Sequence, residues 1–389
     1  MHSDAANIPL TMLAVFGSAK LLAELFERMR QPAIVGEILA GVLIGPSVLG
    51  WIAPNPVLSA LADLGVLFLL FRVGLEVKTS DLLRVGGVAS LVAFLGVVAP
   101  FFLGWGILAL WRAPQTEAIF VGAAMVATSV GITAQVLAAK GLLDRRASRI
   151  ILAAAVIDDI LGLLVLALVS GLARDRVNIL ELLLTAVLAI GFTFVVAKWG
   201  AHAARRLFPR VEARLRTGEA QFNLAMILLF GLAVLAQYAG VAAIIGAFLA
   251  GMALADTAGP RVRDLTHGVS ELLIPFFLAG IGLQLDLSVF ASPSTLLLAA
   301  VILPAAIASK FAGCGLGAIR LGWTDSVRVG CGMIPRGEVG MVVAQLGLSL
   351  GVIGKPVYGV VVCMAVATTL IAPPLLSLSF RGATGGKTG

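Results

Sequence analysis

Thirteen stretches of roughly twenty mainly apolar residues follow one another through this 389-residue chain. They lie at about 8–27, 33–51, 57–75, 85–111, 118–139, 149–172, 179–201, 221–239, 241–255, 270–286, 294–319, 327–349 and 356–378. A helix of that length spans the hydrocarbon core of a bilayer while satisfying its own backbone polar groups, which an isolated strand cannot do. The pattern predicts an all-α polytopic membrane protein of about thirteen transmembrane helices. With 60% hydrophobic and 13% charged residues, the chain has about half the charge density of a soluble domain, and no such domain of useful size fits beside the helices. The net charge of +7 does not mark nucleic-acid binding, because the basic residues sit in short loops between apolar runs. Cys314, Cys331 and Cys363 lie in apolar stretches without a CxxC spacing, so neither a disulfide framework nor a metal cluster is implied. The start, Met1-His2-Ser3-Asp4, lacks the basic region of a cleaved signal, so the first helix is expected to be retained.

Loop charges predict an orientation. The loops after the odd-numbered segments, counted with Arg149 and Arg328 at the start of the spans that follow, hold nineteen Lys and Arg, whereas the others hold only Arg112, Arg174, Arg176 and Lys355. By the positive-inside rule the N-terminus faces outside, and the C-terminus, with Arg381 and Lys387, faces the cytoplasm. Residues 202–220, carrying Arg205, Arg206, Arg210, Arg214 and Arg216, read as a cytoplasmic linker between two halves. The halves also resemble each other. Ile34-Val-Gly-Glu-Ile-Leu-Ala-Gly-Val-Leu-Ile-Gly45 echoes Ile244-Ile-Gly-Ala-Phe-Leu-Ala-Gly-Met-Ala-Leu-Ala255, and each is followed by a run ending in Val73-Gly74-Leu75 or Ile281-Gly282-Leu283. The offset is about 210 residues and seven crossings. An odd number of crossings inverts the second copy, which is the plan of many secondary transporters. The expected organisation is one membrane domain: a first repeat at about 8–172, a linker helix and basic loop at 179–220, a second repeat at 221–378 and a short tail, 379–389.

Ionisable residues inside the spans are the strongest functional pointers, because a charge at the bilayer centre is costly unless paired or hydrated. Asp158 and Asp159 stand mid-way through segment six, Lys310 mid-way through segment eleven, and Arg336 with Glu338 within segment twelve. Adjacent helical positions point about 100° apart, so the two aspartates cannot both face one partner. One carboxylate can pair with Lys310 while the other faces a hydrated cavity and binds either a proton or a small hard cation. Two acids against one base leave a carboxylate that needs a counter-ion. Segments five and twelve carry Ala127-Thr-Ser-Val-Gly-Ile-Thr133 and Ile334-Pro-Arg-Gly337 at matching repeat positions, and both stretches suit interrupted helices whose ends serve an ion site. Arg336 and Glu338 are expected to hold that break by pairing with Glu76, Arg72 or each other. Glu24, Glu37 and Asp63 lie nearer segment ends and are expected to be hydrated or paired.

Ala127-Thr-Ser-Val-Gly-Ile-Thr133, Val156-Ile-Asp-Asp-Ile-Leu-Gly162, Ser309-Lys310 and Pro335-Arg-Gly-Glu-Val-Gly340, in this order, resemble the cation:proton antiporter superfamily. Within its second branch the chain is most similar to bacterial NapA-type sodium/proton antiporters, and the likeness spans essentially the whole chain. The resemblance implies an NhaA/NapA-like inverted-repeat fold of thirteen helices with two crossed broken helices, a mobile core and a dimerisation domain. It implies Asp159 as the main carboxylate for Na⁺ and H⁺, Asp158 as partner of Lys310, and Thr128, Ser129 and Thr133 at the crossing. A homodimer built on segments one and eight, and residence in the bacterial plasma membrane, also follow from it. Sodium, lithium and protons are substrates in that picture, and no cofactor is implied. Potassium-efflux relatives carry a cytoplasmic nucleotide-binding domain after the last helix; this chain stops about ten residues past segment thirteen, so such regulation is expected to be absent or on another polypeptide. The electroneutral branch has Asn at the first acid, so Asp158 with Lys310 implies electrogenic exchange of two protons per sodium ion.

Two alternatives share this architecture: a K⁺/H⁺ exchanger, and a sodium-coupled symporter of organic anions. An intramembrane protease fits poorly. Aspartic types need acids on facing helices and serine types need an intramembrane His, whereas His2, His202 and His267 are expected in loops or tails.

Overall fold

The computed structural model describes residues 8–29, 31–77, 85–173, 179–212, 219–336 and 338–380. Several loop charges counted above, among them Arg174, Arg176, Arg214, Arg216, Arg381 and Lys387, lie outside the described residues. The described chain is all-helical: α1 (Ile8–Arg28), α2 (Ala33–Ile44), α3 (Pro56–Glu76), α4 (Gly86–Leu110), α5 (Gln115–Ala124), α6 (Val130–Ala139), α7 (Arg146–Ala173) and α8 (Ile179–Glu212). The second half holds α9 (Ala220–Tyr238), α10 (Ala243–Leu254), α11 (Pro260–Leu283), α12 (Pro293–Gly317), α13 (Trp323–Gly332), α14 (Glu338–Ser349) and α15 (Lys355–Ser379). By length and composition, 8 of the described helices can cross a membrane.

Several boundaries differ from the expected ones, each for a local reason. Helix α2 ends at Ile44 rather than 51, because Gly45-Pro46 cannot continue it. The expected linker at 202–220 is helical as far as Glu212. Its alanines and arginines are good helix formers, and they carry α8 past its apolar stretch although Pro209 lies near its end. Helix α11 starts ten positions early, at Pro260, a residue suited to a first turn, and thus includes Arg261, Arg263 and His267. His202 and His267 therefore sit on helices, not in loops, and both are exposed.

Two helix groups emerge from the packing. Helices α1, α2, α3, α9, α10 and α11 pack mainly on one another, and α4–α7 with α12–α15 form the second group. Glycine sets the closeness of the first. A Cβ at Gly41 would collide with the Ala279 carbonyl, and one at Gly251 with the Phe71 carbonyl. Likewise Gly282 abuts the Ile38 carbonyl, and Gly74 that of Phe248. Gly36 meets Leu22 as Gly246 meets Leu232. The contacts of Gly36, Gly41 and Gly74 thus have counterparts at Gly246, Gly251 and Gly282, at nearly the same offset. Small residues let the helix backbones touch, which is how helices associate where lipid removes the hydrophobic drive.

Gly41→Val should therefore lower stability by at least about 2 kcal/mol through overpacking against main chain. Gly106→Ala, at a mid-helix position with open space around it, should raise stability by about 0.5–1 kcal/mol. Thermal unfolding of both variants in detergent checks the pair of signs.

Candidate ion-binding site

Segments five and twelve are each broken. Helix α5 stops at Ala124 and α6 starts at Val130, while α13 stops at Gly332 and α14 starts at Glu338. Pro335 lacks an N–H and disfavours helix at Ile334, which explains the second interruption. The first, around Thr128-Ser129, carries residues that compete poorly for helix. The two interrupted stretches meet: Ser129 N–H donates to the Pro335 carbonyl at 2.7 Å, and Thr133 Oγ1 donates to the Gly332 carbonyl at 2.6 Å.

Main-chain groups freed by the breaks find partners among nearby side chains, as a buried backbone requires. Arg336 N–H donates to Thr368 Oγ1 at 3.1 Å, and Thr369 Oγ1 donates to the Arg336 carbonyl at 2.9 Å. The fully buried Arg336 guanidinium donates to the carbonyls of Val126 (3.3 Å), Ala127 (3.2 Å) and Ala306 (2.8 Å). The expected pairing of Arg336 with Glu76 is thus replaced by three carbonyls. Glu76 is exposed at the end of α3, beside Arg263 and Asp144 in a cavity of about 300 Å³, and Arg72 pairs with Glu271 at 3.2 Å. The side chain of Glu338 lies outside the described residues.

Beside this crossing lies the charged cluster. Lys310, on α12, is fully buried and donates to Asp158 Oδ1 at 2.8 Å, the Gly96 carbonyl at 2.8 Å and the Val126 carbonyl at 2.6 Å. An ammonium has three donors, and all three are used. Lys310 and Arg336 therefore share the Val126 oxygen at the C-terminal end of α5, where the helix dipole favours positive charge. Asp158 is as buried as its partner, and its Oδ2 has no hydrogen bond among the described residues.

Asp159 points elsewhere. It is buried against a small cavity of about 10 Å³ lined by Leu70 of α3, Val130 of α6, Val156 of α7, and Ile245 and Phe248 of α10. That space holds about one water. It lies where the two helix groups touch, and the N-terminal end of α6 reaches it. Adjacent aspartates thus face different neighbours: Asp158 looks into its own group, Asp159 toward the other. Thr128, Ser129 and Thr133 are all buried at the crossing, and Thr128 Oγ1 has no hydrogen bond among the described residues.

A larger cavity, of about 830 Å³, lies between α1, α2 and α11 on one side and α6 and α15 on the other. Glu24, Glu27, Glu37 and Glu271 line it, with Lys20 and Lys140. Glu37 is buried and paired with Lys20 at 2.9 Å, while Glu24 pairs with Arg28 at 2.8 Å and Asp63 is exposed. Gly96, Thr368 and Thr369 are contributors that sequence reading missed. Their signals were present: a proline four residues after Gly96, and a Thr-Thr pair just before Pro373-Pro374.

A buried lysine–carboxylate pair beside two touching helix interruptions, with a second carboxylate at the seam between helix groups, defines a membrane protein that handles a small cation. Residues 12–381 match the family described as "Sodium/hydrogen exchanger, transmembrane", and the chain belongs to that family. It is 32% identical to the high-affinity Na(+)/H(+) antiporter NhaS3 of Synechocystis, over 97% of this chain and 91% of that one. It is 33% identical to the Na(+)/H(+)-K(+) antiporter GerN of Bacillus cereus (93% and 94% covered) and 32% identical to a Na(+)/H(+) antiporter of Enterococcus hirae (89% and 91%). Its fold matches the sodium proton antiporter MjNhaP1 of Methanocaldococcus jannaschii with a TM-score of 0.67 at 19% identity, covering 95% of this chain and 97% of the other.

Removing one charge of the Asp158–Lys310 pair should be far costlier than removing both. Asp158→Leu should lose about 3–5 kcal/mol by stranding a buried ammonium, and the Asp158→Leu, Lys310→Met double variant should recover most of it. A double-mutant cycle from thermal unfolding decides; additive losses would contradict the pairing.

Proposed function

We propose that this chain exchanges Na⁺ or Li⁺ for H⁺ across the bacterial plasma membrane, with cation and protons competing for Asp159 and the Asp158–Lys310 pair. The observation that carries this reading is the placement of Asp159 in the seam between two helix groups, next to a lysine-paired aspartate. A carboxylate so placed meets water from one side or the other as the groups shift. With the site open inward, Na⁺ displaces protons; the α4–α7 and α12–α15 group then rocks against the other and releases Na⁺ outside, where protons reload the site. The cavity of about 830 Å³ lined by four glutamates suits an inward vestibule that concentrates cations.

Thirteen crossings follow if α2, α7 and α10 span beside the 8 long apolar helices and the pairs α5–α6 and α13–α14 each make one broken crossing. The matching glycine contacts support an inverted repeat, and the loop charges support an outside N-terminus and a cytoplasmic C-terminus. A homodimer uses the apolar outer faces of α1, with Leu13 and Leu21, and of α9, with Ile227 and Val234, all exposed in the single chain. Two protons leave per sodium ion bound, which makes the cycle electrogenic. K⁺ is the second reading for the cation, favoured by the name of the Bacillus cereus relative.

Proteoliposomes with a pH gradient test the proposal. Adding Na⁺ or Li⁺ should collapse the gradient, with a membrane-potential dye reporting net charge movement, and Asp159→Asn should abolish the response. Wild-type rates in that variant would end the assignment, and a response to K⁺ alone would move it to the second reading.

A further inference from the structure

Pro100 stands in the interior of α4. A helical proline brings no N–H, so the carbonyl four residues earlier loses its intrahelical donor. That carbonyl belongs to Gly96, and it accepts from Lys310 Nζ at 2.8 Å. Gly96 also permits the approach. A Cβ there would stand 2.6 Å from Cys314 Sγ and 3.5 Å from Lys310 Nζ, so the Cys314 side chain would have to move. The other two acceptors of the ammonium come from α7, as Asp158, and from the interruption before α6, as Val126.

We propose that Pro100 is a positioning residue of the exchange site: by leaving the Gly96 oxygen unclaimed, it supplies the third acceptor that holds Lys310 on Asp158. The lysine is thereby fastened to three elements, through Gly96, Val126 and Asp158. The idea rests on the exchange reading only for its consequence in transport; the hydrogen-bond assignment stands apart from it.

The test separates the missing N–H from the ring. In Pro100→Ala a new N–H bonds the Gly96 oxygen, which must then serve two donors, and the Lys310 hydrogen bond weakens. Replacing Pro100 with lactic acid by nonsense suppression also removes the ring, but the ester linkage has no N–H. At an ordinary mid-helix proline, alanine raises the thermal midpoint. Here Pro100→Ala should lower it, or fail to fold, and the ester variant should match wild type. In proteoliposomes Pro100→Ala should raise the KM for Na⁺ by roughly tenfold, the loss expected for one charge-assisted hydrogen bond, while the ester variant stays within about twofold of wild type. A Pro100→Ala midpoint above wild type, or an ester variant that behaves as alanine does, overturns the proposal. If the wild-type protein moves no Na⁺, the exchange reading falls, and the thermal comparison still decides the role of Pro100.

Discussion

The architecture depends on keeping an ammonium in a place without water. Transferring Lys310 and Asp158 from water to a low-dielectric interior costs several kcal/mol for each ion, and their mutual attraction offsets this only when every remaining donor is satisfied. The fold meets that condition with main chain. Gly96 and Val126 present carbonyls that an uninterrupted helix would have kept for itself, and both point at Lys310. A proline in one helix and a break in another are therefore conditions for the charge to exist there.

The broken helices have the same logic on a larger scale. Breaking two helices exposes carbonyls and N–H groups that lipid cannot satisfy. Arg336 gathers two of those carbonyls, of Val126 and Ala127, with that of Ala306 in α12, on one guanidinium; Thr368 and Thr369 take the N–H and carbonyl of Arg336 itself, and Ser129 and Thr133 tie one break to the other. Arginine suits this task because its fork of donors can reach several oxygens at once and keeps its charge when buried. Asp159, beside this tied crossing on α7, lies at the seam between the helix groups.

Much of this was legible in the sequence, because membrane chains write their spans as hydropathy and their sites as charges in the wrong solvent. Asp158, Asp159 and Lys310 announced themselves that way, and the breaks showed in Thr128-Ser129 and Pro335. What escaped was chemistry carried by backbone. Nothing in the letter Gly at 96 or Val at 126 names a hydrogen-bond acceptor, and the partner of Arg336 was sought among acids when carbonyls supplied it. Helix ends escaped for a related reason: α8 and α11 extend beyond their apolar stretches on residues whose composition reads as loop but whose helix propensity is sound.

The central claim is that one carboxylate site takes H⁺ or a metal ion but never both. Adding Na⁺ to the purified protein in weakly buffered detergent solution, near the pH where the site is half-protonated, measures this directly. The account predicts release of about one to two protons per bound sodium ion and an apparent Na⁺ affinity that tightens as pH rises, since the ligand must be deprotonated to bind. Sodium binding without proton release, at an affinity indifferent to pH, would contradict it.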